Sequence, residues 1–343
     1  MRLEVKRRTL RLARPFETSY GALAERELLI VRLDDDDGPS GYGEAAPLEQ
    51  YDGVSIARTA AALDAYAPVL ADGRALNGAQ LLDACRAVDE LPQALAAIDM
   101  ALWDRAGRRE GRPVAELLSD TPASSVRVNA TLTALDRAGC AEQAAQAVAE
   151  GYGCLKLKVG VADDGGRVAA VRAAAGPEAA LRLDANGAWD VEQAVRSIEA
   201  LAPAGLELVE EPTHGLRGMR EVRERVAVRV AIDETAAEAG ALAAGVADAV
   251  CLKVARCGGI AGLVAAASLV RLAGAEVYLA STLDGPLGIA AALHAAAALA
   301  SRGPVPPCGL ATLGLFEDVE NPFVTVEGAI TLPTAPGLGV APA

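Results

Sequence analysis

The sequence predicts an α/β fold, a modified TIM barrel of the (β/α)7β type joined to a smaller α+β domain. Three observations predict it. Five apolar runs each end in charge: CLKLKVG at 154–160, LRLDANG at 181–187, LVEEP at 208–212, AIDET at 231–235 and CLKVARCGG at 251–259. From Lys158 the charged positions Asp184, Glu210, Asp233 and Lys253 follow at steps of 26, 26, 23 and 20 residues. That is the length of one strand, one helix and two short loops, and a parallel barrel of such units puts every strand end on one rim. The N-terminal stretch lacks this period and reads as antiparallel strands followed by helices.

Composition bounds the rest. A chain of 343 residues suits one large domain plus a smaller one. The formal net charge of −14 argues against nucleic acid and anionic membrane as partners. Residues 1–10 carry charges without an apolar core behind them, so they do not form a secretory signal. The longest apolar stretch, Leu287–Ala300, is interrupted by His294 and is too short to span a bilayer. Six cysteines are scattered without a C-x-x-C pair, which fits a reduced cytoplasm.

Taken in order, Leu3–Leu12 and Glu27–Leu33 read as antiparallel strands, Asp34–Ser40 as a turn and Gly41–Pro47 (GYGEAAP) as a third strand or bulged edge. Arg14–Leu23 reads as a loop holding Phe16 and Tyr20, either a lid or an ordinary hairpin connection. Helical patterns occupy 54–70, 78–88 and 91–108, the last joining the two domains. Strands are expected near 126–131, 154–158, 180–184, 206–210, 228–233, 248–253 and 277–281. An eighth segment at 308–312 closes the ring. Helices are expected at 138–150, 164–175, 190–201, 217–226, 236–245, 259–273 and 286–300. The expected division is 1–95, 96–315 and 316–343, the last packing back on the first.

Three carboxylates on one rim repel. At an effective dielectric of ~20 and ~4 Å, each pair costs on the order of 4 kcal/mol. A divalent cation offsets that, and all-oxygen ligands select Mg²⁺ or a similar hard ion such as Mn²⁺ over zinc. The bland alternative is that each acid caps the helix after its strand. Lysines beside such a site have a second use. One pressed against a metal and apolar walls has its pKa lowered, and can take a proton from carbon next to a carboxylate. The metal then holds the enediolate. Lys158 and Lys253 come from the second and sixth strands, on opposite sides of the mouth. Lys156 points the same way as Lys158 and can keep it less protonated. The alternative is surface lysines at strand ends.

The motifs LKLKVG, LRLDANGAW, LVEEP, AIDET and CLKVARCGGI, in this order and spacing, resemble the muconate-lactonising subgroup of the enolase superfamily. The resemblance covers nearly the whole chain, with GYGEAAP in a leading α+β capping domain. It implies Asp184, Glu210 and Asp233 as metal ligands and Lys158 and Lys253 as the acid/base pair. Asn186 resembles a position that supports metal or substrate, and Glu211 and Glu234 stand beside ligands. A Lys or His base with Mg²⁺ is the superfamily's known pattern. The branch with a His–Asp dyad needs a histidine at a late strand end. The only histidines here are His214 and His294, in a loop and an Ala-rich helix.

For substrate, the segments AEVYLASTLDGPLG and CGLATLGLFEDVENP resemble o-succinylbenzoate synthases, which dehydrate a cyclohexadiene carboxylate on the way to menaquinone. Dipeptide epimerases of the subgroup carry an Asp-x-Asp pair at the last strand end, which GLATLGLFE lacks. Asp284 offers a single carboxylate in its place, which keeps an epimerase open, as do N-acylamino acid racemase and muconate cycloisomerase. Asp284 reads equally as a turn residue, and Ser281 and Thr282 as substrate-binding hydroxyls or caps. A barrel that only binds an anionic metabolite through metal is the non-enzymatic alternative. The expected partner is a small carboxylate, and the Ala-rich helices leave room for homo-oligomer contacts.

Overall fold

The computed structural model describes residues 1–18, 21–35, 38–73, 75–161 and 163–341. Tyr20 and part of the Asp34–Ser40 turn lie outside the described residues. The chain opens with β1 (Arg2–Thr18), β2 (Gly21–Asp34) and β3 (Gly41–Ala45), an antiparallel sheet in that order. The segment expected as a loop at Arg14–Leu23 is instead largely strand. Register slips between Arg11 and Phe16, then Phe16 pairs with Leu23. Pro15 has no N–H to give a ladder and falls in that bulge. The hairpin therefore continues as a long arm.

Four helices follow: α1 (Glu49–Asp52), α2 (Ile56–Asp72), α3 (Gly78–Val88) and α4 (Pro92–Glu110). Leu29, Val31 and Leu33 of β2 face Leu63, Tyr66, Leu81 and Ile98 in one core. The GYG of β3 has a physical reason. A Cβ on Gly41 or Gly43 would come within 2.0 Å of the Ala101 or Ala97 carbonyl, so β3 lies directly on the α4 backbone.

After α5 (Val114–Leu118) come β4 (Ser125–Arg127), β5 (Ala130–Leu132) and α6 (Arg137–Ala149). The alternation then runs β6 (Cys154–Lys158), α7 (Asp164–Ala175), β7 (Ala180–Asp184), α8 (Val191–Leu201), β8 (Leu206–Glu210), α9 (Leu216–Arg225), β9 (Val230–Ile232), β10 (Ala249–Leu252), α10 (Ile260–Leu272), β11 (Glu276–Leu279) and α11 (Pro286–Ala300). Strands β5 to β11 form one parallel sheet in sequence order. Parallel bridges Val128–Cys308 and Ala280–Gly309 carry it round to a ring.

This is the expected α/β barrel, with three local corrections. The first strand, expected at 126–131, is split: β4 pairs with β13 (Ala329–Thr331), which in turn pairs with β12 (Thr325–Val326), while β5 pairs with β6. The closing segment at 308–312 makes single bridges, not a strand. The helix expected at 236–245 is replaced by 3-10 turns at Glu234–Ala237 and Ala241–Ala243. The first turn ends where Glu238 becomes extended, Gly240 at φ 80° separates it from the second, and Gly245 at φ 60° follows the second, so no α-helix propagates.

α11 is buried along almost its whole length, from Pro286 to Leu299. Alanine lets neighbouring elements approach that closely. His294 sits inside it. Its Nδ1 accepts the Ala115 N–H at 3.2 Å and its Nε2 lies 3.2 Å from the Leu338 carbonyl, so the neutral Nε2–H form satisfies both. Burial lowers its pKa to about 4. The folded state thus refuses a proton that the unfolded state takes near 6.5. Stability is full above that pH and falls as pH drops from 6.5 toward 4, by about 3 kcal/mol. Urea unfolding at pH 7.5 and pH 5 should show about 2 kcal/mol of that loss in the parent and a shallower pH dependence in His294→Gln. Equal slopes would remove His294 from the account. No described helix is long and apolar enough to cross a membrane.

Candidate active site

Strand register builds the site. Lys158 pairs with Asp184 across β6 and β7, and Asp184 with Glu210 across β7 and β8. These three therefore stand level on one rim. Asp233 and Lys253 follow immediately after β9 and β10. Because strand side chains alternate, Lys156 points into the ring beside Lys158.

The charges converge. Lys156 Nζ reaches both Glu210 oxygens at 2.8 Å and Asp184 Oδ2 at 2.8 Å. Lys158 Nζ shares that Asp184 oxygen at 2.6 Å and meets Asn186 Oδ1 at 2.5 Å. Lys253 pairs closely with both oxygens of Asp233. The ligand atoms of Glu210, Asp233 and Cys251 lie within 4.8 Å of one another. An ammonium touching Asp184 and Glu210 together shows that those carboxylates already share one cation position. The donor set fits a hard divalent ion at Asp184, Glu210 and Asp233. Burial lifts the Cys251 thiol far above its ordinary pKa, so it stays protonated and is a poor partner for such an ion.

Carboxylate partners set the charge of Lys253 and Lys156. Burial disfavours the Lys253 ammonium, but Asp233, Cys251, Glu210 and Glu234 outweigh it and the pKa is raised. Lys156 is raised likewise, with Asp184 and Glu210 overcoming burial. Burial pushes Asp184 up, but Lys156 and Lys158 win and hold it low. Ion pairing decides these directions; the lowered pKa expected from the sequence belongs to a lysine pressed against a metal, where the ion would take over these carboxylates.

The sequence named part of the surroundings. Asn186 accepts from Lys158 and donates to Glu234 Oε1 at 2.9 Å. Ser281 Oγ and Thr312 Oγ1 are 2.7 Å apart, and both residues line the cleft with Thr282. Asp284 does not line it; its Oδ1 accepts the Thr282 N–H at 3.3 Å. Phe16, Leu48, Ala280 and Leu283 give the cleft its apolar wall.

Tyr51 was not singled out in the sequence, and Glu211 was placed there only beside a ligand. Tyr51, from α1, donates to Asp233 Oδ1 at 2.8 Å and accepts from Lys253 at 2.9 Å and Arg256 at 2.5 Å. Both cations also lie over its ring. Glu211, fully buried with φ 40°, accepts the Asp233 N–H at 2.7 Å and the Thr235 N–H at 3.0 Å. It fixes the backbone that presents Asp233, and left-handed φ at a non-glycine is a cost the surroundings must hold. An aromatic just past GYGEAAP was the only sequence signal for Tyr51.

A (β/α) barrel whose rim gathers three acids and two lysines beneath a capping domain defines a class: metal-assisted carbon-acid enzymes. Comparison with known proteins agrees. Residues 139–343 match the family described as enolase C-terminal domain-like, and residues 2–119 match the mandelate racemase / muconate lactonizing enzyme N-terminal domain. The L-Ala-D/L-Glu epimerase of Bacillus subtilis (strain 168) is 31% identical, over 99% of this chain and 96% of its own length. An o-succinylbenzoate synthase of Thermobifida fusca is 41% identical over 60% of this chain and 66% of its own. The crystal structure of a dipeptide epimerase from Enterococcus faecalis V583, complexed with Mg and the dipeptide L-Leu-L-Tyr, superposes with a TM-score of 0.90 at 28% identity, covering 98% of both chains. The chain belongs to the enolase superfamily, in its muconate-lactonising subgroup, and is an enzyme of that superfamily.

Proposed function

We propose that this enzyme removes a proton from the carbon next to a carboxylate with the help of Mg²⁺, and that its reaction is dehydration to o-succinylbenzoate. Asp184, Glu210 and Asp233 would hold the ion, with Mn²⁺ as the substitute. Bound there, the ion polarises the substrate carboxylate and makes the adjacent C–H more acidic. It would also compete for the oxygens that now keep Lys156 and Lys253 charged.

Lys158 is the proton carrier in this reading. Its side chain is 21% exposed, against 6% for Lys253, so it has more room to move between α-carbon and leaving group. As the free amine it takes the α-proton; as the ammonium it returns that proton to the departing hydroxyl, and water leaves. Lys253, which also donates to the Tyr51 hydroxyl at 2.9 Å, stays a cation facing the ring of the intermediate.

One observation carries the choice of substrate. Among the described residues lining the cleft, the carboxylates are Asp184 and Asp233, and in this reading both hold the ion. An amino-dipeptide would bring an ammonium with no acid left to meet it. The length of the match to an epimerase, with lysines four strands apart, favours epimerisation as the second reading.

The test is direct. With Mg²⁺ and the cyclohexadiene carboxylate, o-succinylbenzoate should form, and EDTA should abolish it until Mg²⁺ is restored. No product, together with deuterium uptake at the α-carbon of dipeptides in D₂O, would hand the site to the second reading.

A further inference from the structure

The contact between the first sheet and the barrel holds a separate group of buried ionisable side chains. Glu44 of β3, Arg26 of β2 and Asp284 ahead of α11 are all buried. Glu44 Oε1 accepts the Gly285 N–H at 2.7 Å, and the Gly288 N–H donates to the same carboxyl. These amides open α11, which has no side-chain cap from its own loop. A residue of the first sheet therefore supplies the acceptor for the first turn of that helix.

The packing leaves little slack. A Cβ on Gly285 would lie 2.6 Å from Glu44 Oε2, and one on Gly288 would lie 2.7 Å from Asp284 Cβ. Arg26 spends its Nη donors on the Pro47 and Ala46 carbonyls at 2.8 and 2.9 Å. Glu44 Oε2 and Arg26 Nε are buried without a hydrogen-bond partner. Just upstream, Ser281, Thr282 and Leu283 form one wall of the cleft, and Leu283 is held at φ 58°. A bulky residue in that region costs on the order of 1 kcal/mol, so its neighbours must hold the turn.

We propose that Glu44 is a positioning residue whose protonated carboxyl fastens the start of α11, and with it the Ser281–Leu283 wall of the cleft, to the first sheet; ionisation of Glu44 loosens that wall. The groups facing it are Asp284 from the loop and Arg26 from β2, with Asp52 and Glu27 near Arg26 and Lys253 near Asp284. Burial, then the Asp284 charge, lifts the Glu44 pKa to about 8, and burial lifts Asp284 to about 6. The closed wall keeps the Glu44 proton up to about pH 8, whereas an opened, hydrated carboxyl loses it near its ordinary 4.5. Opening therefore grows about tenfold per pH unit from pH 6 to 8 and levels off above.

Hydrogen–deuterium exchange of the full-length protein reads this without any substrate. The peptide spanning 280–289, corrected for the intrinsic rate, should lose about a hundredfold in protection between pH 6 and 8. Glu44→Gln keeps an acceptor for Gly285 and cannot ionise, so its corrected protection should stay flat. Glu44→Ala should leave the peptide poorly protected at every pH. Asp284→Asn removes the charge that lifts Glu44, so its plateau should begin at lower pH. Flat protection in the parent, the parental slope in Glu44→Gln, or an unmoved plateau in Asp284→Asn would each overturn the proposal.

Discussion

Lys158→Ala should lower turnover by about 10²–10⁴-fold, the range a positioned acid/base supplies, while the protein still folds. The second half follows from the pairing. Asp184 keeps Lys156 at 2.8 Å after Lys158 is gone, so no buried carboxylate is left without a cation. Lys253→Ala should cost a similar factor. Asp233 then retains the Tyr51 hydroxyl at 2.8 Å and Arg256 at 3.8 Å. Circular dichroism and thermal melts would establish the fold, and steady-state kinetics the loss. The two lysines separate in a further measurement. If Lys158 alone carries the proton, Lys253→Ala should keep slow α-hydrogen exchange that Lys158→Ala lacks. Near-normal turnover in either variant removes that lysine from the chemistry.

The rim was legible because each of its members belongs to its own strand, and strand spacing is written locally. Lys158, Asp184 and Glu210 end apolar runs at one period, and the sheet pairs them in register. Asp233 and Lys253 follow at the next two strand ends. Tyr51 was not legible in the same way. Its hydroxyl meets Asp233 across 182 residues of chain, and no period connects a short helix in the first domain to a strand end in the barrel. Glu44 is hidden for the same reason, its partner Gly285 lying 241 residues away. Glu211 stood in plain view beside Glu210, but the local pattern could not show that its carboxylate holds the Asp233 backbone. The Arg14–Leu23 segment misled because Pro and Gly usually mark a loop, whereas here a bulge absorbs Pro15 and the ladder resumes at Phe16. At 236–245 an apolar, alanine-rich run promised a helix that an extended Glu238 and a left-handed Gly240 cut into turns.

The alternation that points Asp184 into the ring also points Arg182 there, ~7 Å deeper. Arg182 is fully buried. Its guanidinium bonds Glu207 at 2.7 and 3.0 Å and the Pro307 carbonyl at 2.7 Å, and lies 4.9 Å from the Tyr278 ring centre. Tyr278 in turn donates to Glu210 Oε2 at 2.7 Å. One cation thus ties β7 to β8, to the ring-closing segment and, through Tyr278, to a rim carboxylate. Arg182→Leu should destabilise the protein by about 3 kcal/mol, the low end for breaking a buried pair, because Glu207 loses its cation but keeps 24% of its side chain exposed to water. Urea unfolding at neutral pH measures it. Pairing the change with Glu207→Leu should recover much of the loss, since two apolar residues leave no orphan carboxylate. Recovery would show that the cost lies in the stranded charge. A double variant as unstable as Arg182→Leu would instead place it in the Pro307 and Tyr278 contacts, which only the arginine can make. Tyr278, freed of its cation, should then loosen its hold on Glu210, so metal affinity should fall in both variants even where stability returns.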